Sequence, residues 1–366
     1  MNSKNISNAR LITQQIADTN FTTPKEMVGW MGAMQAQDYN MAKWAIGLRL
    51  PGTTDAIIED AFNKGEILRT HVLRPTWHFV SADDIYWMLE LTAPHMNRAM
   101  KGRHKALGLD EKIFAKSNSI IQKALERGKH LTRVEIMNEL NKNKIETHDQ
   151  KSIHLMYHAE LNGLVCSGIM RGKEHTYALL EKRVKKAKSI TREEALAKLA
   201  ERYFTSHGPA TLEDFTWWSG LNITESRKAL EMVEKNFVTE TFKSRTYLFA
   251  DSFAVPKRNK SSFHLLPAFD EYIISYKDRS VAIQTEHQPK AFSANGIFWP
   301  TIIMNGKVIG LWKRNIQKDK VIIEAEFFKK PTKAAINSFK KESKKYGKFL
   351  DKKVEIRDPL NKKSGT

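Results

Sequence analysis

The chain has 366 residues and a mass of 42.1 kDa, more than one ordinary domain holds, and its 41% hydrophobic content is ample for packed cores, which excludes wholesale disorder. Sixty Lys and Arg against 41 Asp and Glu leave a net charge of +19 and a pI near 9.7, which fits a polyanionic partner: nucleic acid first, an anionic membrane surface second. The single cysteine, Cys166, excludes an intramolecular disulfide and any multi-cysteine zinc or iron–sulfur site.

The amino terminus has no apolar core of the kind a secretory signal needs, and no uncharged apolar run approaches the ~18 residues of a membrane span. The expectation is a cytoplasmic, nucleoid-associated protein without membrane contact. Thr23-Pro-Lys-Glu26 is a capping box with proline at the first helical position, so a helix is expected to start there. Near the end of that helix lies Met34-Gln-Ala-Gln-Asp38. Gln35 and Gln37 are two apart, so where the helix ends or bends both amides point into one cleft. A glutamine amide has no useful pKa and is a poor general base. It still accepts a hydrogen bond from water and holds that water in line with an electrophile, which suffices when the leaving group is already good. The alternative is structural: the two glutamines cap the helix end and bond to neighbouring backbone.

Residues 54–63 read as a helix, followed by Gly65 and two strand-like runs, Ile67-Leu-Arg-Thr-His71 and Thr76-Trp-His-Phe-Val80. Arg69, His71, Arg74 and His78 interleave here with Trp77 and Phe79. Arginines on a hairpin suit the narrow, negative minor groove, and an aromatic tip can wedge between bases. Arg69, His71, Arg74, Trp77 and His78 are therefore candidate DNA-contacting residues. Pro75 limits ladder pairing and favours a projecting edge over a central strand. The other reading is an ordinary hairpin that packs Trp77 and Phe79 inward and leaves its arginines solvated.

A long helical stretch at 81–107, containing Pro94, leads to a second copy of the plan: helices at 131–140 and 152–161, then strands at 164–166 and 176–180. The basic segment Lys182-Arg-Val-Lys-Lys-Ala-Lys188 precedes a third copy, with Ala210-Thr-Leu-Glu-Asp-Phe-Thr-Trp-Trp218, a helix at 223–235 and strands at 237–242 and 246–249. Helix, helix and small hairpin is the winged-helix plan, in which one helix usually enters a groove and the hairpin touches backbone or minor groove. Scaffolding or dimer contacts are the alternative for some copies. After Pro256 the character changes to alternating apolar runs, with Asn305-Gly306 as a tight turn, then a helix at 333–346, a last strand and a lysine-rich tail. The expected fold is α+β, with three tandem winged-helix modules (1–107, 108–186, 187–256) and a C-terminal, mainly antiparallel β unit (257–366), a small barrel or sandwich.

Familiar sites are absent: there is no Gly-x-Gly-x-x-Gly, no Walker loop and no Gly-x-Ser-x-Gly elbow. His154 and His158 share a helix face, but without the glutamate of a zinc protease or an evident third ligand they read as surface or phosphate-facing histidines. Asp270-Glu271 is the best carboxylate pair for acid–base work, yet it reads first as a buried salt-bridge cluster linking the β unit to a winged helix, with Tyr276-Lys-Asp-Arg279 supplying partners.

Taken together, Ala9-Arg-Leu11, residues 28–44 with their Gln-Ala-Gln-Asp core, residues 68–80, Leu265-Leu-Pro-Ala-Phe-Asp-Glu-Tyr272, Tyr276-Lys-Asp-Arg279, and residues 296–312 with Pro300, Gly306 and Gly310 resemble the winged-helix DNA-binding family that includes the AlkZ-like bacterial DNA glycosylases. The resemblance spans nearly the whole chain. It implies tandem winged helices around a concave, basic channel for duplex DNA, and excision of N7-alkylated purines, including the lesions of interstrand cross-links. It implies a catalytic Gln-x-Gln motif, carried here by Gln35 and Gln37 with Ala36 between them, and a hairpin that probes the minor groove. The expected partner is duplex DNA containing alkylated purines; no metal, organic cofactor or protein partner is called for. The rival is a winged-helix DNA-binding regulator or architectural factor without catalysis.

Overall fold

The computed structural model describes residues 2–250 and 262–357. Helix α1 (Ser3–Thr13) starts on Asn2, whose side chain accepts the Lys4 and Asn5 N–H groups. The capping box of Thr23 and Glu26 opens α2 (Pro24–Met31), as expected. That helix stops short of the glutamines. Gly32, at φ +79°, turns the chain, and a strand follows, β1 (Ala33–Gln35). Asp38 caps α3 (Tyr39–Arg49) by accepting the Met41 N–H, and Thr54 caps α4 (Asp55–Lys64). The hairpin β2 (Ile67–His71) and β3 (Trp77–Ser81) completes the set. Because β1 pairs with β3, the sheet order is β1-β3-β2 and β3 is the central strand. The projecting edge expected from Pro75 is therefore corrected: Pro75 lies in the loop before β3, where its missing N–H costs no ladder bond.

Helix α5 (Ile85–Ala106) runs through Pro94 to a second set: α6 (Glu111–Leu125), β4 (Leu131–Thr132), α7 (Arg133–Lys142), α8 (Lys151–Leu161), β5 (Val165–Ser167) and β6 (Thr176–Leu179). After the short α9 (Leu180–Arg183) comes a third: α10 (Arg192–His207), α11 (Leu212–Ser219), α12 (Ile223–Glu231), β7 (Phe237–Phe242) and β8 (Arg245–Ala250). Each set runs helix, short strand, two helices, hairpin. In the third the short strand shrinks to a bridge between Ala210 and Leu248. Each short strand leads into a helix cap: Asp38, Thr132 or Thr211.

The expected boundary after Pro256 and the tail beyond residue 357 lie outside the described residues. The remainder comprises β9 (Phe263–Leu266), α13 (Glu271–Ile274), α14 (Gln288–Ala291), β10 (Thr301–Met304), β11 (Lys307–Ile316), β12 (Lys320–Phe327), α15 (Lys333–Phe349) and β13 (Lys353–Ile356). Asn305 and Gly306, both at positive φ, turn β10 into β11 as their dipeptide predicts. Among the described residues these strands form one sheet, ordered β13-β12-β11-β10-β9, parallel only between β12 and β13. It is an open sheet packed against α15; the expected barrel or sandwich is not what forms.

The core of the first set continues into this sheet. Met34, Ile46, Phe62 and Phe79 cluster with Leu265, Trp312, Phe339 and Phe349, and the Trp44 indole N–H donates to the Leu265 carbonyl at 2.8 Å. At the same junction Arg49, at the end of α3, grips Asp270 through both terminal nitrogens at 2.8 and 2.9 Å, with both side chains fully buried. Gln14 at the end of α1 takes two more guanidinium hydrogen bonds. Asp270→Ala strands the Arg49 charge in the interior and is expected to lower unfolding free energy by about 3–5 kcal/mol in urea titrations. Arg49→Met/Asp270→Leu, which removes both charges, is expected to recover most of that loss.

Candidate active site

Strand alternation sorts the Gln-Ala-Gln segment. Met34 and Ala36 point into the core shared with the C-terminal sheet, while Ala33 faces the opposite core. Gln35 and Gln37 lie on Ala33's side and do no capping, since Asp38 caps α3. The Gln35 side chain is buried and its Oε1 accepts from Arg74 Nη2 at 3.4 Å. Gln37 is exposed, and its Oε1 accepts the Trp77 N–H at 3.5 Å. Both amides thus bond to the loop and strand start of the first hairpin, brought there by the β1–β3 pairing of Gln35 with His78. The short strand was the missing signal: as a helix end, the segment has no reason to meet residues 69–78.

Beneath β1 sits Glu271. Its Oε1 accepts the Gln35 backbone N–H at 2.6 Å, and Oε2 accepts from the Ser275 hydroxyl and, at 3.3 Å, from the Trp218 indole. The His207 ring lies 3.8 Å away. Burial pushes the Glu271 carboxyl up, but these donors outweigh it and hold it down at about 2, so a buried anion fixes the strand that carries Gln35. Asp270 and Glu271 form the expected buried link between the C-terminal unit and the first set, but the charge partner of Asp270 is Arg49, not the Tyr276-Lys-Asp-Arg279 segment expected to supply it.

The hairpin residues divide. Arg69 donates from Nε to the Ala36 carbonyl at 2.9 Å and from Nη2 to the Gln37 carbonyl at 3.4 Å, and its guanidinium lies 4.3 Å from the Trp77 ring centroid. On Trp77 the His71 ring also packs, at 4.0 Å, and His71 Nδ1 is 2.8 Å from Glu160 of α8. Phe79 turns into the core while Trp77 stays half-exposed, so the two aromatics do not share a fate. His78 is completely buried, and burial followed by the nearby Arg74 charge pushes it down to about 3. The expectation of a DNA contact at His78 is therefore corrected: it is an uncharged packing residue. Arg74 occupies a loop pinned by Thr92 and His95 of α5 on either side of Leu73, which adopts φ +62°. Gly220 allows this approach, because a Cβ there would come within 2.4 Å of the Leu73 carbonyl.

His154 and His158 are half-buried, not surface residues. His158 stacks on Phe114 at 3.9 Å and His154 abuts His104, and no group of three or more potential ligands among the described residues is arranged to hold a metal. Sequence reading missed two neighbours of the glutamines. Arg314 on β11 reaches Asp38 at 3.3 Å, so the end of the β11–β12 hairpin adjoins the site. Trp217, exposed at the end of α11, lies beside Arg74.

Two neutral amides, one ionised carboxylate behind them and several guanidiniums make a site that can orient a water molecule and bind an anion. A family model described as DNA glycosylase AlkZ-like matches residues 28–349. The chain belongs to the AlkZ-like DNA glycosylase family. An interstrand DNA cross-link repair glycosylase from Streptomyces sahachiroi is 22% identical over 304 residues, covering 79% of this chain and 81% of that protein. The solved structure of Streptomyces sahachiroi DNA glycosylase AlkZ matches with a TM-score of 0.79 at 20% identity, over 97% of this chain and 99% of that one, so the two share a fold of mixed α and β elements. In this glycosylase the family match takes in the Gln35–Asp38 segment, the first hairpin, Asp270–Glu271 and α15. Among the described residues no helix is long and apolar enough to cross a membrane.

The buried histidine of the site gives a pH signature. Folding holds His78 neutral down to about pH 3, whereas in the unfolded chain it takes up a proton near 6.5. The unfolded state therefore binds more protons between these values, and stability falls as pH drops from about 6.5 toward 3, by up to ~1.4 kcal/mol per pH unit for this one group. Denaturation midpoints of the glycosylase measured from pH 7 to pH 5 are expected to fall. The fall should be shallower in His78→Gln; an unchanged slope in that variant would assign the pH dependence elsewhere.

Proposed function

We propose that this enzyme hydrolyses the N-glycosidic bond of N7-alkylated purines in duplex DNA, interstrand cross-links included, with Gln35 and Gln37 holding the attacking water. One observation carries the reading: neither amide caps the helix that follows, and both turn toward the first hairpin. In the second and third sets the residue ending the short strand, Thr132 or Thr211, is itself the helix cap with a complete capping box. In the first set Asp38 does that work, and the two amides turn away from the core shared with the C-terminal sheet and toward the first hairpin instead.

The chemistry fits what amides can do. An N7-alkylguanine carries a positive charge, so its bond to the sugar is already weak. As C1′–N9 breaks, the electron pair returns to the base and cancels that charge, while the water oxygen bonds to C1′ and its proton passes to solvent. Orientation of the water is the main contribution asked of the protein. A cross-linked base is hard to extrude, so attack without the complete flip used by many glycosylases suits this substrate. The cross-link substrate is further supported by the name of the Streptomyces sahachiroi relative.

In this reading the three repeated sets are winged helices, at 1–107, 108–186 and 187–256, which with 257–366 surround a basic channel for the duplex. The surplus of 19 positive charges neutralises phosphates there. Arg74 and Trp77 meet the DNA, with Arg69 and His71 bracing them. The tip of the β11–β12 hairpin, where exposed Ile316 stands between Lys313 and Lys318, is the free projection suited to a minor groove. The working place is the cytoplasm, on the nucleoid. Gln35→Ala/Gln37→Ala is expected to slow single-turnover base release from an N7-methylguanine duplex by at least about a hundredfold, with the thermal midpoint nearly unchanged. Wild-type rates from that folded variant would remove the assignment.

A further inference from the structure

Arg74 and Arg279 are part-buried and lack the carboxylate partner that several enclosed arginines of this chain have. Arg10 closes on Asp214, Arg49 on Asp270 and Arg202 on Asp84. Among the described residues Arg74 instead makes one long side-chain hydrogen bond, to Gln35 Oε1 at 3.4 Å, and Arg279 one, to the Ile273 carbonyl at 3.1 Å, and neither has an ion pair there. Arg74 Nε and Arg279 Nη2 are buried without any partner. Both guanidiniums lie against Trp217, 5.8 and 5.2 Å from its ring centroid, and the indole N–H is anchored to the Ile274 carbonyl at 2.9 Å. Phe292 and Phe298 hold Arg279 from two further sides, each at 5.0 Å.

Aromatic faces restrain a guanidinium without neutralising it, so the charge and most of its donors stay available. The carboxylates within electrostatic reach are otherwise engaged: Glu271 under Gln35, Asp214 on Arg10, Asp278 on Arg245. Burial, and then the charge of Arg74, push Arg279 down to about 10, with Asp214 and Asp278 offsetting part of the fall.

We propose that Arg74 and Arg279 form a clamp for one phosphodiester of the lesion-bearing strand, seated on Trp217 next to Gln35. The clamp rests on the reading of Gln35 as part of the catalytic centre. A phosphate fixed there fixes the adjoining sugar, and so sets C1′ against the water held by the amides. The second arginine comes from the loop after α13, so the C-terminal unit and the first hairpin each supply half of the site.

The test is a cycle between protein and DNA. Duplexes carry N7-methylguanine and, one position at a time, an uncharged methylphosphonate at the phosphates flanking it. For the wild-type enzyme one position is expected to slow single-turnover base release by roughly tenfold or more. Arg279→Gln should show the same loss on all-phosphate DNA, less than about a twofold further loss at that position, and a salt dependence flatter by about one unit of log–log slope. Arg279→Lys, which keeps the charge, should recover part of the rate. Losses that multiply at every position, or an Arg279→Gln enzyme with wild-type rate and salt slope, would overturn the clamp. Arg74→Gln provides an independent arm should Arg279→Gln fail to fold. If the wild type releases no base, the catalytic reading fails on its own. The same cycle read in equilibrium binding then decides the clamp, coupling supporting it and independence removing it.

Discussion

Two adjacent carboxylates at the start of α13 join the C-terminal sheet to the first helical set, and each does so with a different partner. Asp270 takes the Arg49 guanidinium and Glu271 takes the Gln35 N–H. Neither contact is cheap to form. An ion pair this deep gives back little more than its desolvation cost, so its value lies in specifying one arrangement of α1, α3 and β9. For Glu271 the consequence is more local. A short ionic hydrogen bond to the backbone of β1 leaves a three-residue strand no freedom to slip, and a slip by one residue would turn Gln35 into the core and Met34 out of it.

This explains which parts of the molecule were legible in the amino-acid order. Caps are local: Thr23 with Glu26 and Asn305 with Gly306 specify their structures through neighbours a few residues away. The threefold repeat was legible for the same reason, because its helices and hairpins carry their own apolar periodicity. Helices α6 and α10 went unread although Asp110 and Thr191 cap them in the ordinary way. Strand β1 could not be read at all. Three residues carry too little pattern, and their extended form depends on pairing with β3, more than forty positions later. With β1 unread, the glutamines and the hairpin remain two unconnected candidates, and Pro75 reads as the sign of a projecting edge although β3 is the central strand.

His78 shows the limit from the other side. A histidine flanked by Trp77 and Phe79 in a basic hairpin has the composition of a nucleic-acid contact. Burial is decided by the strand on either side of it, and β3 has one on both. Arg69 is the intermediate case. Its charge remains, but its donors are turned back onto the Ala36 and Gln37 carbonyls, so it shapes the glutamine segment from behind.

The resulting charge arrangement resolves an apparent conflict in the chemistry. A cationic base should be repelled by Arg69 and Arg74, yet these are the guanidiniums that bond to the glutamine segment. The polyanionic strand enters with the base, and each phosphate met by a guanidinium leaves the local field close to neutral. What lies under the amides is Glu271, fixed and ionised by its own donors. In the proposed reaction a developing oxocarbenium sugar would face neutral dipoles with an anion behind them, while the cations would be drawn off onto the backbone. In that field a titratable base beside the water would add a charge the reaction does not need, and a pair of carboxamides fits the requirement better than a histidine or a carboxylate in the same place.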